Sequence, residues 1–305
     1  MTENIEGYDK CSLCPRRCGV RRSVTRGFCG AGNVPVLNLY MPHFGEEPPI
    51  SGSKGSGAMF FEGCPMHCIF CQNGHISRGL TGKGMICGEH KLVEIFFELR
   101  DLGVHNINLV TPLHYAPHIE RAVRLAKDQG FDLPFVLNSG GYESVETLKM
   151  FEGLIDIYLP DFKFWDSRLA AACAKAPDYR ETAVKAIEEM FRQTGKAQID
   201  PDTGLLKKGM IVRHLMIPSK LFDTKKILDH LTSRYGNDIY ISLMNQYTPM
   251  PHLHKIKDVP PYLLKKVREG HYEAAVDYLA QKGQINAFVQ EDDASGDSMI
   301  PDFKY

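Results

Sequence analysis

A chain of 305 residues, 43% of them hydrophobic, is long enough to bury a sizeable core as one large domain or as one domain with an appendage. Its formal net charge of −1 removes the bulk-electrostatic case for a nucleic-acid or membrane-surface protein. No apolar run approaches the roughly 20 residues that span a bilayer, and the polar start MTENIEGYDK lacks the features of a signal peptide, so a cytoplasmic location and no membrane partner are expected.

Residues 1–57 show little helical or alternating periodicity and read as a Cys-rich extension. Four of the nine cysteines lie there, Cys11, Cys14, Cys18 and Cys29, spaced CxxCxxxCx10C. In a reducing compartment such a set is a metal site before it is a disulfide framework. Four thiolates fill a tetrahedral zinc site, which would fold a segment too short for its own core; a second four-iron cluster serving electron transfer is the other reading. Arg16, Arg17, Arg21, Arg22 and Arg26 lie among these ligands, placed to neutralise an anionic centre or to meet an acidic substrate. His43, Glu46 and Glu47 then precede the run SGSKGSG, which lacks the phosphate-loop pattern and reads as a flexible entry into the next element.

From Ala58 short apolar runs alternate with amphipathic stretches. The runs at 58–61, 107–110, 133–138, 154–160, 210–218 and 238–244 are six candidate strands, with helical patterns at 91–103, 119–130, 179–195 and 223–236. That alternation predicts parallel βαβ units, hence an α/β fold: an open sheet or a partial or complete barrel over 58–290. Residues 260–283 read as two short helices broken near Gly270, and 291–305 as an acidic tail. Cys87 and Cys173 stand apart from the cysteine groups and are expected to be small buried hydrophobes.

The stretch GCPMHCIFCQNG, 63–74, directly follows the first candidate strand and so lies on the functional rim of either βα architecture. Its CxxxCxxC gives three ligands, Cys64, Cys68 and Cys71, where closed structural zinc wants four. On a cubane iron–sulfur cluster three protein thiolates leave one iron open.

CxxxCxxC with Phe70 before its last cysteine, on the loop after the first strand of a βα series, resembles the radical S-adenosylmethionine superfamily. CSLCPRRCGV, HFGEEPPISG, GSGAMFFEGC, CQNGHIS, NINLVTPLH, IYLPDFK, VRHLMIP and LMNQYTP together resemble its uncharacterised branch related to pyruvate formate-lyase activating enzymes. The resemblance implies a partial (β/α)6 TIM-type barrel and a [4Fe-4S] cluster on Cys64, Cys68 and Cys71. It also implies S-adenosyl-L-methionine chelated at the open iron and cleaved reductively to a 5′-deoxyadenosyl radical that abstracts a substrate hydrogen. It implies an electron donor such as flavodoxin or ferredoxin, and a substrate that is a glycyl radical enzyme, another protein or peptide, or a small molecule.

By position the resemblance assigns Asp161 and Lys163, after strand four, to the methionine and ribose part of the cofactor. It places Asn138 and Ser139 facing the cofactor after strand three, with Phe70 beside the ligand cysteines. Arg213 on strand five and Asn245 or Gln246 after strand six are further transfers. Arg213 and His214 are adjacent, so only one points into the barrel, and Arg213 is taken as the inward one. Where the superfamily often carries glycine-glycine-glutamate after strand two, this chain reads VTPLH; Thr111 and its backbone stand in its place. His114, Tyr115, Tyr247, His252 and His254 follow strand ends and are candidate substrate contacts, and the HFGEEPPISG resemblance folds Glu46 and Glu47 toward the site. The rival readings are a non-enzymatic iron–sulfur redox sensor and a zinc-stabilised nucleic-acid binder. Near-neutral charge and few aromatics among the N-terminal arginines argue against the last.

Overall fold

The computed structural model describes residues 7–290 and Phe303. The ten strands of its sheet are β1 (Val36–His43), β2 (Ser56–Phe61), β3 (Met85–Ile86), β4 (Ile107–Val110), β5 (Phe135–Ser139), β6 (Ile157–Pro160), β7 (Gln198–Ile199), β8 (Leu206–Leu215), β9 (Tyr240–Met244) and β10 (Ala287–Val289). The six anticipated runs are β2, β4, β5, β6, β8 and β9. They pair in that order and all in parallel, with β10 added in parallel beyond β9. Helices Glu89–Asp101, Ala116–Asp128, Tyr179–Thr194 and Leu221–Tyr235 supply the long crossovers that parallel pairing requires. The fold is therefore mixed α/β with a mostly parallel sheet, open between its edge strands β3 and β10: a partial barrel.

Alternation along each strand sorts the side chains. Ile107 and Leu109 of β4 join the helices in the main core, as do Met59 and Phe61 of β2 and Met210 and Val212 of β8. Their neighbours face the concave side. Low in the barrel, Val136, Ile157, Leu159, Leu206 and Ile211 close around Ile50, all of them buried.

Ile50 comes from the region read as irregular. Val36–His43 is a strand antiparallel to β2, and Pro48–Ser51 is a short helix that enters the barrel floor. Asn106 fixes the plug by donating to the Ile50 carbonyl at 2.7 Å while accepting from Ser56 Oγ at 2.6 Å. Burying the Ile50 side chain is worth about 2–3 kcal/mol, and its helix has a second consequence: it holds Glu46 and Glu47 at the floor of the concave side. The strand escaped periodicity because Tyr40, Met41, Pro42 and His43 are only half-buried and two prolines follow shortly after.

One expected break moves. Residues 261–264 form a 3-10 turn and Glu269–Gln281 an uninterrupted helix with Gly270 in its first turn. An amide there has no intrahelical partner to lose, so glycine does not end the helix. The expected acidic tail, 291–305, lies outside the described residues except for Phe303, which is buried edge-on against Phe60 at 5.3 Å between ring centroids. Cys87 and Cys173 are both fully buried, as expected of isolated cysteines.

Candidate active site

The C-terminal ends of the parallel strands surround a cavity of about 430 Å³. Cys64, Cys68 and Cys71 line it from the loop after β2, Thr111 from the end of β4, and Asn138 and Ser139 from β5. Asp161 and Lys163 follow β6, and Arg213 comes from β8. Asn245 is absent from the lining, and Gln246 takes that place; the Asn245 amide is tied to Gln290 Oε1 at 2.8 Å.

The cysteine loop is held by backbone hydrogen bonds from outside it. Cys64 N–H donates to the Cys29 carbonyl at 3.3 Å, Ile69 N–H to that of Cys173 at 2.8 Å, and Cys71 N–H closes a turn onto Cys68 at 3.1 Å. Arg16 reinforces this from the N-terminal segment, donating to the Pro65 and Ala174 carbonyls at 2.9 Å each while its guanidinium lies over the rings of Phe28 and Tyr142. Phe28 in turn stacks on His67 at 4.5 Å. Two arginines of the cysteine-rich segment therefore act as clamps: besides the half-buried Arg16, the buried Arg22 donates to the His114 carbonyl and lies against Tyr8 and Tyr115. That contact turns His114 and Tyr115 away from the cavity, and His114 is further tied to the Glu62 carbonyl at 2.9 Å. Of the other strand-end candidates, Tyr247 lines the cavity, His252 contacts the Ile69 carbonyl at 2.6 Å, and His254 is exposed.

Burial pushes the Cys64 thiol up to about 12 and that of Cys68 well above the ordinary range. Such thiols are good ligands only to a cation that displaces their proton. Among the described residues no three His, Cys, Asp or Glu side chains converge on the position of a single ion. A four-iron cluster asks for less convergence, because each thiolate binds its own iron. Three thiols lining one open cavity, Cys68 buried and Cys64 and Cys71 half-buried, beside a lysine therefore fit a cluster better than a lone ion.

Lys163 is that lysine. Burial works against its charge, but Asp161, with which it is ion-paired, and the thiols of Cys68 and Cys71 outweigh burial and raise its pKa above the ordinary lysine value. The loop carrying its neighbours is tightly packed: Gly141 has φ +77°, and a Cβ there would lie 2.1 Å from the Asp161 carbonyl oxygen. Tyr179 Oη braces both loops, donating to the Gly140 or Asp161 carbonyl at 2.9 and 3.0 Å and accepting from Lys163 N–H at 2.8 Å.

The cavity floor is a buried ion network. Arg213 donates through Nε to Glu47 Oε1 at 2.8 Å and through a terminal nitrogen to Glu47 Oε2 at 2.6 Å and to Glu46. Asn108 Nδ2 reaches Glu46 Oε1 at 2.7 Å. Burial opposes the Glu47 charge, yet Arg213 wins and holds the carboxyl below its usual range. The inward side chain of the Arg213–His214 pair is thus the arginine, while His214 lies behind the sheet between the Phe162 carbonyl and Thr224 Oγ1, at 2.7 and 2.9 Å.

No family model matches the chain. Over 266 residues it is 28% identical to the uncharacterized protein MJ0674 of Methanocaldococcus jannaschii, covering 85% of this chain and 71% of that one. A crystal structure of methylornithine synthase (PylB) superposes with a TM-score of 0.47 at 14% identity, covering 79% of this chain and 71% of that one. Neither likeness assigns an activity to these residues, whose chemistry rests on their own arrangement.

Proposed function

We propose that the chain is a radical S-adenosylmethionine enzyme. The observation that carries this reading is that Cys64, Cys68 and Cys71 line one cavity together with Asn138, Ser139, Asp161 and Lys163. The three cysteines would hold a [4Fe-4S] cluster, with S-adenosylmethionine beside it in the same cavity. Bound there, cluster and cofactor would supply reductive cleavage of the sulfonium and radical abstraction of a substrate hydrogen.

The chain's own residues do the rest. Lys163 offsets negative charge beside the thiolates, and Asp161 holds it in place. Thr111, Asn138, Ser139 and Gln246 present polar groups to the cofactor's polar atoms, while Met66, Phe70, Leu215, Met244 and Tyr247 keep water from the reacting centre. An external electron donor of the flavodoxin or ferredoxin kind completes the reaction. Glycyl radical enzyme activation and direct modification of a peptide, protein residue or small molecule both fit this chemistry. The expected zinc at Cys11, Cys14, Cys18 and Cys29 finds no support, since no three of these side chains converge on a single ion and Cys18 is exposed while the other three are buried; no catalytic step rests on them.

The rival is a redox sensor, whose cluster would have four protein ligands and no open iron. Electron paramagnetic resonance of anaerobically iron-loaded, dithionite-reduced protein separates the two. Under the proposal S-adenosylmethionine shifts the spectrum, and the Cys64→Ala, Cys68→Ala, Cys71→Ala variant loses the responsive signal. A cluster signal that S-adenosylmethionine leaves unmoved overturns the proposal in favour of the sensor.

A further inference from the structure

A second cavity, of about 580 Å³, shares no lining residue with the first. It opens between the segment after β6, the start of helix Leu221–Tyr235 and Tyr262. Arg168, Arg180, Lys220 and Lys226 line it, against Asp166 and Asp223, so cations exceed carboxylates by two on a chain whose formal net charge is −1.

Both carboxylates are already engaged by the backbone. Asp223 accepts from the amides of Trp165 and Asp166 at 2.9 and 2.7 Å, and Asp166 caps helix Ser167–Ala174 by accepting from Leu169 N–H at 2.9 Å. The cations are far less committed. Among the described residues neither Lys220 nor Lys226 has an ion-pair partner, and Arg168 reaches Asp166 only at 3.8 Å with its side chain 96% exposed. Two of the cations are set by aromatic rings instead: Arg180 lies 5.3 Å over Trp165, where it also pairs with the exposed Glu181, and Lys220 lies 4.3 Å over Tyr262. Trp165 is itself stacked on Phe162, so the wall that carries Arg180 is rigid.

Rings orient cations without neutralising them. A recess of small-molecule size that gathers Lys220 and Lys226, without ion-pair partners among the described residues, beside the guanidinium groups of Arg168 and Arg180 is complementary to a compact multivalent anion, and arginine forks match phosphate oxygens in particular. We propose that this cavity binds a phosphorylated small molecule. Its back wall approaches the cysteine loop at one remove: Tyr262 lies beside Cys173, whose carbonyl accepts Ile69 N–H at 2.8 Å. The proposal does not depend on the function assigned to the first cavity.

Trp165 is the only tryptophan of the chain, so its emission reports on this cavity alone. The full-length protein is titrated with sodium pyrophosphate at fixed ionic strength, with citrate and sodium chloride in parallel and calorimetry alongside to register optically silent binding. The expected result is saturable binding of pyrophosphate, tighter than citrate. The exposed-side-chain variant Arg168→Ala, Lys226→Ala should weaken it at least tenfold without changing the thermal midpoint. The proposal is overturned if emission and calorimetry show no saturable binding, if citrate binds more tightly, or if the variant binds as well as the wild type.

Discussion

Arg213 Nε donates to Glu47 Oε1 at 2.8 Å across 166 residues of sequence, joining the fifth parallel strand of the barrel to the segment that plugs it. Both side chains are nearly enclosed, so the contact sets the cavity floor and also holds charges that are costly to separate.

Removing the cation alone should be expensive. Arg213→Met leaves Glu46 and Glu47 buried without their counter-ion and should destabilise the protein by about 3–5 kcal/mol. Adding Glu46→Gln and Glu47→Gln to that variant should recover much of the loss, since the stranded charge is gone. Denaturant unfolding of the three proteins measures this; equal loss in the single and triple variants would mean that packing, not charge, dominates.

Glu143 gives a pH prediction. It is buried, and desolvation raises its carboxyl from the usual 4.5 to about 7. A raised pKa favours folding below the unfolded value and loses that advantage as pH climbs to the folded value. Its contribution to stability should therefore be full below pH 4.5, fall between about 4.5 and 7, and stay low above. Glu143→Gln should match the wild type near pH 4 and exceed it by about 3 kcal/mol at pH 8. A difference independent of pH would contradict the assignment.

Two glycines with similar backbone angles should respond differently to the same change. Gly130 has φ +83° with nothing within 4 Å of a Cβ, so Gly130→Ala pays only for conformation, about 1–2 kcal/mol. Gly141 at φ +77° adds a 2.1 Å clash with the Asp161 backbone. Gly141→Ala should therefore cost more than Gly130→Ala in thermal unfolding and, by pushing the loops apart, should also weaken S-adenosylmethionine binding. Similar behaviour of the two variants would remove the close approach from the account.

After β9 it is Gln246, not Asn245, that lines the cavity. Loss of one hydrogen bond of about 1 kcal/mol corresponds to roughly a fivefold weakening. Gln246→Ala should weaken cofactor binding by about that factor in equilibrium dialysis, with Asn245→Ala close to wild type. The reverse order would return the role to Asn245.

How much of this was legible in the sequence differs by element, and the differences have causes. The strands β2, β4, β5, β6 and β9 and the stretch 209–212 of β8 announced themselves because they are largely buried on both faces and read as short apolar runs. The cysteine loop was legible because its spacing is local, whereas alternation on β8 said only that one of Arg213 and His214 faces inward; tertiary structure shows that it is Arg213. The strand β1 was not legible, since its second half is only partly covered. The resemblance of HFGEEPPISG turned Glu46 and Glu47 toward the site. Their partner and depth came only from tertiary structure, because Arg213 lies far along the chain. The choice between Asn245 and Gln246 stayed open because the chain leaves strand geometry after Met244, where alternation no longer tells which side chain turns inward. His114 and Tyr115 looked like site residues by their place after a strand; Arg22, from the N-terminal segment, draws them into the core instead.

The central claim is tested most directly by chromatographic detection of 5′-deoxyadenosine from anaerobically iron-loaded protein given S-adenosylmethionine and dithionite, beside the Cys64→Ala, Cys68→Ala, Cys71→Ala variant. The account predicts that the wild type forms 5′-deoxyadenosine and the variant does not. Absence of the product from wild-type protein that carries iron on the three-cysteine loop would contradict it.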